Sequence, residues 1–291
     1  MNHPQGHLVA VGGAEDKGTD LEKGILQRNR LNFFELGILK NIVSLIDNKE
    51  ARVEVITTAS SIPDEVAQNY IDAFAKLGCH NVGHLRIRNR EDASMATSIE
   101  RLKACICIMF SGGNQLRLSS IFGGTQFLDL LKYRYQNENF LIAGTSAGAM
   151  AMSNTMIYEG NAAIANLKGE VKITTGLGLM QDVIIDTHFD KRGRFNRLAQ
   201  GVAAQPGAIG IGLGEDTGII VSEGIELKAI GSGSVVIIDG RNIDFNNIAD
   251  IRFGQPISVE NIIVHIMSKG DVYNLETRKF VGSEVVIDDE D

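Results

Sequence analysis

Apolar residues in this chain fall into two alternating kinds of segment. Short runs occur at residues 7–13, 53–57, 82–87, 104–110 and 140–143, each of a length and composition that predicts a strand. Between them, apolar positions recur at helical spacing. Phe34, Ile38, Ile42, Leu45 and Ile46 can share one face of a helix over 32–47. Val66, Tyr70, Ile71, Phe74 and Leu77 do the same over 64–77, where Pro63 suits the first turn and Gly78 a stop. Residues 92–102 read as a further helix, and two more helical segments lead from Gln115 to the run at 140–143. Strand and helix alternating in this way predict an α/β fold. The arrangement expected is three layers, an open and mostly parallel sheet with helices on both faces.

Beyond residue 150 the pattern loosens. Strands are predicted at 183–187 and 209–213, then shorter β-like runs at 218–222, 227–230 and 234–239, and a helix at 259–269 after the break at Pro256. No repeat, linker or low-complexity tract interrupts the chain, so residues 1–291 read as a single α/β domain with a β-rich C-terminal part.

Composition narrows the partners. A hydrophobic content of 44% permits a large core and argues against disorder. No run approaches the roughly 20 apolar residues of a membrane span. The N-terminus lacks a basic stretch followed by an apolar one, and Leu8 to Val11 is too short to serve, so a cytoplasmic location and no membrane partner are expected. A net charge of −8 without a basic tract argues against nucleic acid. Of the three cysteines, Cys105 and Cys107 lie two apart and would share a strand face. Without a C-x-x-C spacing they read as buried thiols rather than metal ligands.

The chemistry centres on Gly144-Thr-Ser-Ala-Gly148, between a predicted strand and a small-residue run that reads as a helix start. That is the form of a nucleophile elbow, a sharp turn that presents a serine hydroxyl above a sheet. Serine is also a preferred helix N-cap, and these five residues fit both readings. His188 and Glu215 each follow a predicted strand, and in open α/β sheets ligand sites gather beyond the carboxyl ends of strands. Serine, histidine and a carboxylate are the minimal set for acyl transfer. Gly112-Gly113 follows another strand, and the N–H groups of Gly113 and Ala147 could form an oxyanion hole. Arg192, Arg194 and Arg197 follow the histidine. They read either as a solvated basic helix or as bidentate anchors for substrate carboxylates. Gly12-Gly13 does not fit a dinucleotide fingerprint, because the glycines are adjacent and a charged loop follows; a tight turn is the reading kept.

Five segments together resemble the cyanophycinases, serine peptidases related to aspartyl dipeptidases, with a class I glutamine-amidotransferase-like fold. They are Gly12-Gly-Ala-Glu-Asp-Lys17, Ser111-Gly-Gly-Asn-Gln115, Gly144-Thr-Ser-Ala-Gly-Ala149, the run from Asp186 to Leu198, and Gly214-Glu-Asp216. The resemblance implies Ser146 as nucleophile, His188 as general base and Glu215 as its partner. It implies Gln115, Asp186, Arg192, Arg194 and Arg197 as substrate contacts, with the arginines gripping aspartyl carboxylates and Asp186 facing a substrate guanidinium. It further implies a homodimer, no cofactor and no metal. The activity implied is an exopeptidase that hydrolyses cyanophycin, a poly-aspartate with arginine on each side-chain carboxyl, to β-Asp-Arg dipeptides. The family pattern has glutamine before the histidine, where this chain has Thr187, placed in the substrate site by analogy. That departure leaves a β-aspartyl or isoaspartyl peptide with another side chain as the alternative substrate.

Three rivals make distinct demands. An esterase-like hydrolase has the order serine, acid, histidine, and would need His265 as base. A non-enzymatic binding module would need the serine, histidine and acid to lie apart. A metal site would need His80 and His84, which flank a loop-to-strand junction rather than a helix face.

Overall fold

The computed structural model describes residues 3–13, 37–46 and 48–283. In chain order the elements are β1 (His7–Val11), α1 (Gly37–Ser44), β2 (Val53–Ile56), α2 (Pro63–Lys76), β3 (Val82–His84), α3 (Arg90–Ser94), α4 (Ala96–Ala104) and β4 (Cys107–Phe110). There follow α5 (Gln115–Phe122), α6 (Gln126–Asn137), β5 (Leu141–Thr145), α7 (Ala147–Met150), β6 (Thr155–Glu159), β7 (Lys172–Thr175), β8 (Val183–Thr187), α8 (Phe195–Ala204) and β9 (Ile209–Leu213). The remainder is β: β10 (Thr217–Ser222), β11 (Glu226–Gly231), β12 (Val235–Asp239), β13 (Phe245–Asn246), β14 (Val259–Glu260), β15 (Ile263–Met267), β16 (Asp271–Asn274) and β17 (Lys279–Ser283).

The main sheet has nine strands in the order β17-β16-β11-β10-β1-β5-β4-β2-β3. From β1 to β3 its neighbours are parallel, and from β1 outward through β10 they are antiparallel. The parallel strands are apolar on both faces because both faces are covered. In β1, Leu8 and Ala10 enter one core while Val9 and Val11 enter the other. The second core is closed by Ile38, Leu39 and Ile42 of α1 and by Tyr70, Ala73 and Phe74 of α2. The first is shared with α4 to α8 and with a separate four-stranded sheet, β15-β12-β9-β8.

That second sheet is a feature the sequence pattern did not separate from the first. β8 and β9 run parallel, and β12 pairs antiparallel with β9. Both sheets therefore send strand ends toward one place: Thr145 of β5 from one, Thr187 of β8 and Leu213 of β9 from the other.

Several local expectations need correction. The helix expected at 259–269 is instead β14, a short link and β15, with Met267 paired to Val235 and His265 to Ile237. Ile262-Ile-Val-His-Ile-Met267 is a continuous apolar run, which periodicity alone cannot assign; its β-branched content belongs to a strand. The helix at 92–102 is two helices, because Met95 adopts an extended ψ of 138°. The strand at 82–87 ends at His84. Cys105 and Cys107 do not share a face: β4 begins only at Cys107, so Cys105 packs in one core and Cys107 in the other. All three cysteines are buried free thiols, and burial pushes Cys105 up to about 12. The helix predicted over 32–47 is found as α1 within the described residues; Phe34 and Asp47 lie outside them.

Candidate active site

Ser146 stands between the last residue of β5 and the first of α7. Its backbone has φ 49° and ψ −110°, a strained conformation that a β-carbon opposes. The turn is that sharp because strand and helix pass almost in contact. A β-carbon on Gly144 would lie 2.7 Å from the carbonyl carbon of Gly148, and one on Gly148 would lie 2.6 Å from the Phe110 carbonyl oxygen. The serine N–H donates to the Val11 carbonyl at 2.8 Å, tying the turn to β1. The hydroxyl does not cap the helix. It lies 3.1 Å from Nε2 of His188.

His188 follows β8 and is held in a second left-handed conformation, φ 49°. Its N–H donates to the Gly12 carbonyl at 2.9 Å. Its Nδ1 lies 2.9 Å from Oε1 of Glu215, which follows β9. A carboxylate only accepts hydrogen bonds, so the ring proton belongs on Nδ1 and Nε2 is left to take the serine proton. The second Glu215 oxygen accepts from Nζ of Lys191 at 2.6 Å. Serine, imidazole and carboxylate thus form one hydrogen-bonded line from three separate strand ends. His265, on β15, instead packs edge-to-face on Phe280 and beside Tyr273, and His84 is engaged by Thr57 and faces Asp64.

The electrostatics suit a base. Burial lowers the His188 pKa, and the nearby cations Arg192 and Arg194 lower it further; the hydrogen bond and charge of Glu215 work against them without prevailing. The imidazole is accordingly neutral at neutral pH. For Glu215, burial is the largest influence and would raise its pKa. The hydrogen bonds from Lys191 and His188 outweigh it and hold the carboxyl below its ordinary range. It therefore stays ionised beside the imidazole.

Gly112 and Gly113 follow β4. A β-carbon on Gly112 would sit 3.3 Å from that of Ser146, so this turn lies directly against the serine. Gly113 has φ 136°, and a β-carbon there would lie 2.1 Å from the Ala59 carbonyl oxygen. The Ala147 N–H is the first of its helix, a position with no acceptor inside the helix.

The residues expected to contact substrate divide. Gln115 opens α5 and is half-buried; its Nε2 donates to the carbonyls of Ile157 and Tyr158 at 3.0 and 3.2 Å, fastening α5 to β6. Arg192 is exposed beside His188, and Arg194 is half-buried. Asp186 is 0% exposed, so it cannot face a substrate guanidinium. Its carboxylate is already filled by this chain: Arg194 Nη1 donates at 3.0 Å, Arg197 Nε at 2.7 Å, and Arg197 Nη2 also donates. Arg197 is 5% exposed and reaches the Gly160 carbonyl as well, so it does not grip substrate carboxylates. Thr187 is fully buried, with its hydroxyl unpartnered among the described residues, so it does not touch substrate from its side chain either. The arginine fork that reads from sequence as a ligand anchor is in part an internal strut.

Two contributors were not assigned a site role from sequence. Gly13, with φ 108°, is so close to the histidine that a β-carbon would lie 2.4 Å from its Cε1, and one on Gly12 would lie 1.9 Å from the Gly214 carbonyl oxygen. The adjacent pair Gly12-Gly13 after an apolar strand was the available signal, read only as a turn. Lys191 carried no signal beyond its nearness to the histidine.

A fold with a strand-end serine, a neutral imidazole and an ionised carboxylate in line defines a serine peptidase or esterase class, and comparison with known proteins selects the first. The family model for "Peptidase family S51" matches residues 32–228. Two cyanophycinases give similar whole-chain matches. One, from Synechococcus elongatus, is 35% identical over 94% of this chain and 81% of its own length; another, from Trichormus variabilis, is 34% identical over 96% and 89%. The crystal structure of a peptidase from an acI-B1 actinobacterium superposes with a TM-score of 0.60 at 22% identity, covering 90% of this chain and 98% of that one. The chain belongs to peptidase family S51 and is a serine peptidase.

Proposed function

We propose that this peptidase hydrolyses cyanophycin, releasing β-Asp-Arg, through an acyl-enzyme formed on Ser146. The observation that carries the mechanism is the unbroken line Ser146–His188–Glu215, at 3.1 and 2.9 Å. Whole-chain likeness to cyanophycinases carries the substrate. Ser146 Oγ attacks the carbonyl carbon as its proton passes to His188 Nε2. The oxyanion accepts hydrogen bonds from the Gly113 and Ala147 amides. Collapse expels the amine, which takes the proton from His188. Water then repeats the sequence on the ester, with His188 again as base. Glu215 fixes the tautomer and offsets the imidazolium charge. Arg192, exposed beside His188, is available to substrate carboxylates, whereas Arg194 is tied to Asp186. The same reading includes a homodimer, implied by the family resemblance, and a cytoplasmic location, as expected from the sequence.

The test is product analysis after incubation with insoluble cyanophycin, beside Ser146→Ala. Release of β-Asp-Arg by the parent and a loss on the order of 10⁴-fold or more in the variant are expected. Fluorophosphonate labelling of Ser146 without β-Asp-Arg release would keep the chemistry and reject the substrate, and isoaspartyl and lysyl analogues would be tried next.

A further inference from the structure

We infer that Arg88 and Arg117 are positioning residues that hold the oxyanion site in place from behind. The inference rests on the reading of Gly113 as an oxyanion donor. Gly113 is seated on the Ala59 carbonyl, and the next residue, Asn114, donates its N–H to that same carbonyl at 3.0 Å. The position of the Gly113 amide is therefore set by the loop that follows β2, residues 57–60. That loop is a short irregular segment whose carbonyls are removed from water: Thr57, Thr58, Ala59 and Ser60 are all buried.

Two guanidinium groups satisfy the carbonyls of Thr57, Thr58 and Ser60, on either side of Ala59. Arg88 Nη1 donates to Thr57 and Ser60 at 3.0 Å each, and reaches Thr58 at 3.5 Å. Arg117, on α5, donates from Nε to Thr58 at 2.9 Å and from Nη2 to the Arg88 carbonyl at 3.2 Å. Among the described residues, each hydrogen bond from these two guanidinium groups ends on a backbone carbonyl. The two cations lie close enough that Arg117 contributes, after burial, to lowering the Arg88 pKa. Arg117 bridges two carbonyls with the separate Nε and Nη2 of its planar fork, and Arg88 reaches its three with Nη1, one bond beyond where a lysine nitrogen would stand; an ammonium at either place keeps the charge and loses the bridge. Because α5 begins at Gln115 directly after the Gly112–Asn114 turn, Arg117 pins both sides of that turn, its helix and the loop it rests on.

The test compares the parent with Arg117→Met, Arg117→Lys and Arg88→Lys. Four readouts are taken: steady-state cyanophycin hydrolysis, the rate of fluorophosphonate labelling of Ser146, affinity for an aspartyl aldehyde analogue, and affinity for β-Asp-Arg. The aldehyde forms a hemiacetal with Ser146 that carries the oxyanion; the dipeptide does not. We expect kcat to fall about 10- to 100-fold in Arg117→Met, less than the ~10²–10³ for outright loss of an oxyanion donor, with KM little changed. Labelling and aldehyde affinity should fall in parallel, dipeptide affinity should hold, and Arg117→Lys should recover part of the loss. If Arg117→Met does not fold, the two lysine variants, which keep the charge and break the bridge, should still show the split. Equal weakening of aldehyde and dipeptide, or unchanged kcat and labelling in a folded variant, would overturn the inference. Normal labelling of a parent that leaves cyanophycin intact would instead count against the substrate alone.

Discussion

His188 shows how a single side chain is prepared for its work. A general base must be neutral, and here burial and the charges of Arg192 and Arg194 favour the neutral form over the opposing pull of Glu215. The sign follows directly. Activity is present above the lowered pKa and lost as pH falls through it, so the acid limb of kcat/KM should lie below the ordinary histidine value near 6.5. Removing a neighbouring cation lets the imidazolium form more easily. Arg192→Ala should therefore move that limb toward higher pH, and less so as added salt screens the exposed charge. A full pH profile of parent and variant checks both points; a limb that shifts downward in Arg192→Ala would remove the arginine from the account of His188. Glu215→Gln tests the other side of the ring. It leaves the geometry nearly intact but no longer selects the Nδ1 tautomer or offsets the imidazolium, and a kcat loss on the order of 10³–10⁴-fold is expected.

At the scale of elements, the question is what β8 and α8 are anchored by. Asp186, the penultimate residue of β8, receives Arg194 and Arg197 from the turn and first part of α8. This clamp closes the loop that carries His188, Lys191 and Arg192, so it acts on the site through backbone position. Removing one partner leaves a charge buried without compensation, which costs roughly 3–5 kcal/mol. Asp186→Ala should thus appear first as a large fall in melting temperature, with weaker activity following from the displaced loop. A substrate contact would give the reverse, a raised KM at unchanged stability. From the sequence alone the clamp could not be told from a ligand site: a carboxylate and three arginines in one segment satisfy either description, and what separates them is burial, which depends on how β8 packs against α7 and β6. The amphipathic helices of the first half were legible from their period, and its strands as short apolar runs alternating with them. The run at 262–267 was not, because a continuous apolar segment has no period and no such alternation surrounds it, and its strand form is imposed by pairing with β12.

At the scale of the molecule, the site exists because two sheets meet at a point where neither can carry a side chain. Ser146 arrives from the nine-stranded sheet, His188 and Glu215 from the four-stranded one. Gly12 and Gly13, at the end of β1, are the joint between them. The Gly12 carbonyl takes the His188 N–H, the Gly13 carbonyl takes the Asp216 N–H, and the Val11 carbonyl takes the Ser146 N–H. The serine, histidine and glutamate were legible as three strand-end residues, but the joint was not, since a glycine pair in a sequence does not say what packs against it. Gly13→Ala should separate base from nucleophile: the added β-carbon would overlap the imidazole, at 2.4 Å from its Cε1. Gly124→Ala is the control, because Gly124 also has positive φ, 67°, but nothing lies within 4 Å of its β-carbon position. Gly124→Ala bears the backbone strain of the left-handed region, about 1–2 kcal/mol, and Gly13→Ala, at φ 108°, bears more, so both should lose melting temperature. Only Gly13→Ala should lower kcat, on the order of 10³-fold or more, as the serine loses its base. Equal activities in the two variants would mean that the imidazole can move aside and still serve, and the joint would then be a matter of stability rather than of catalysis.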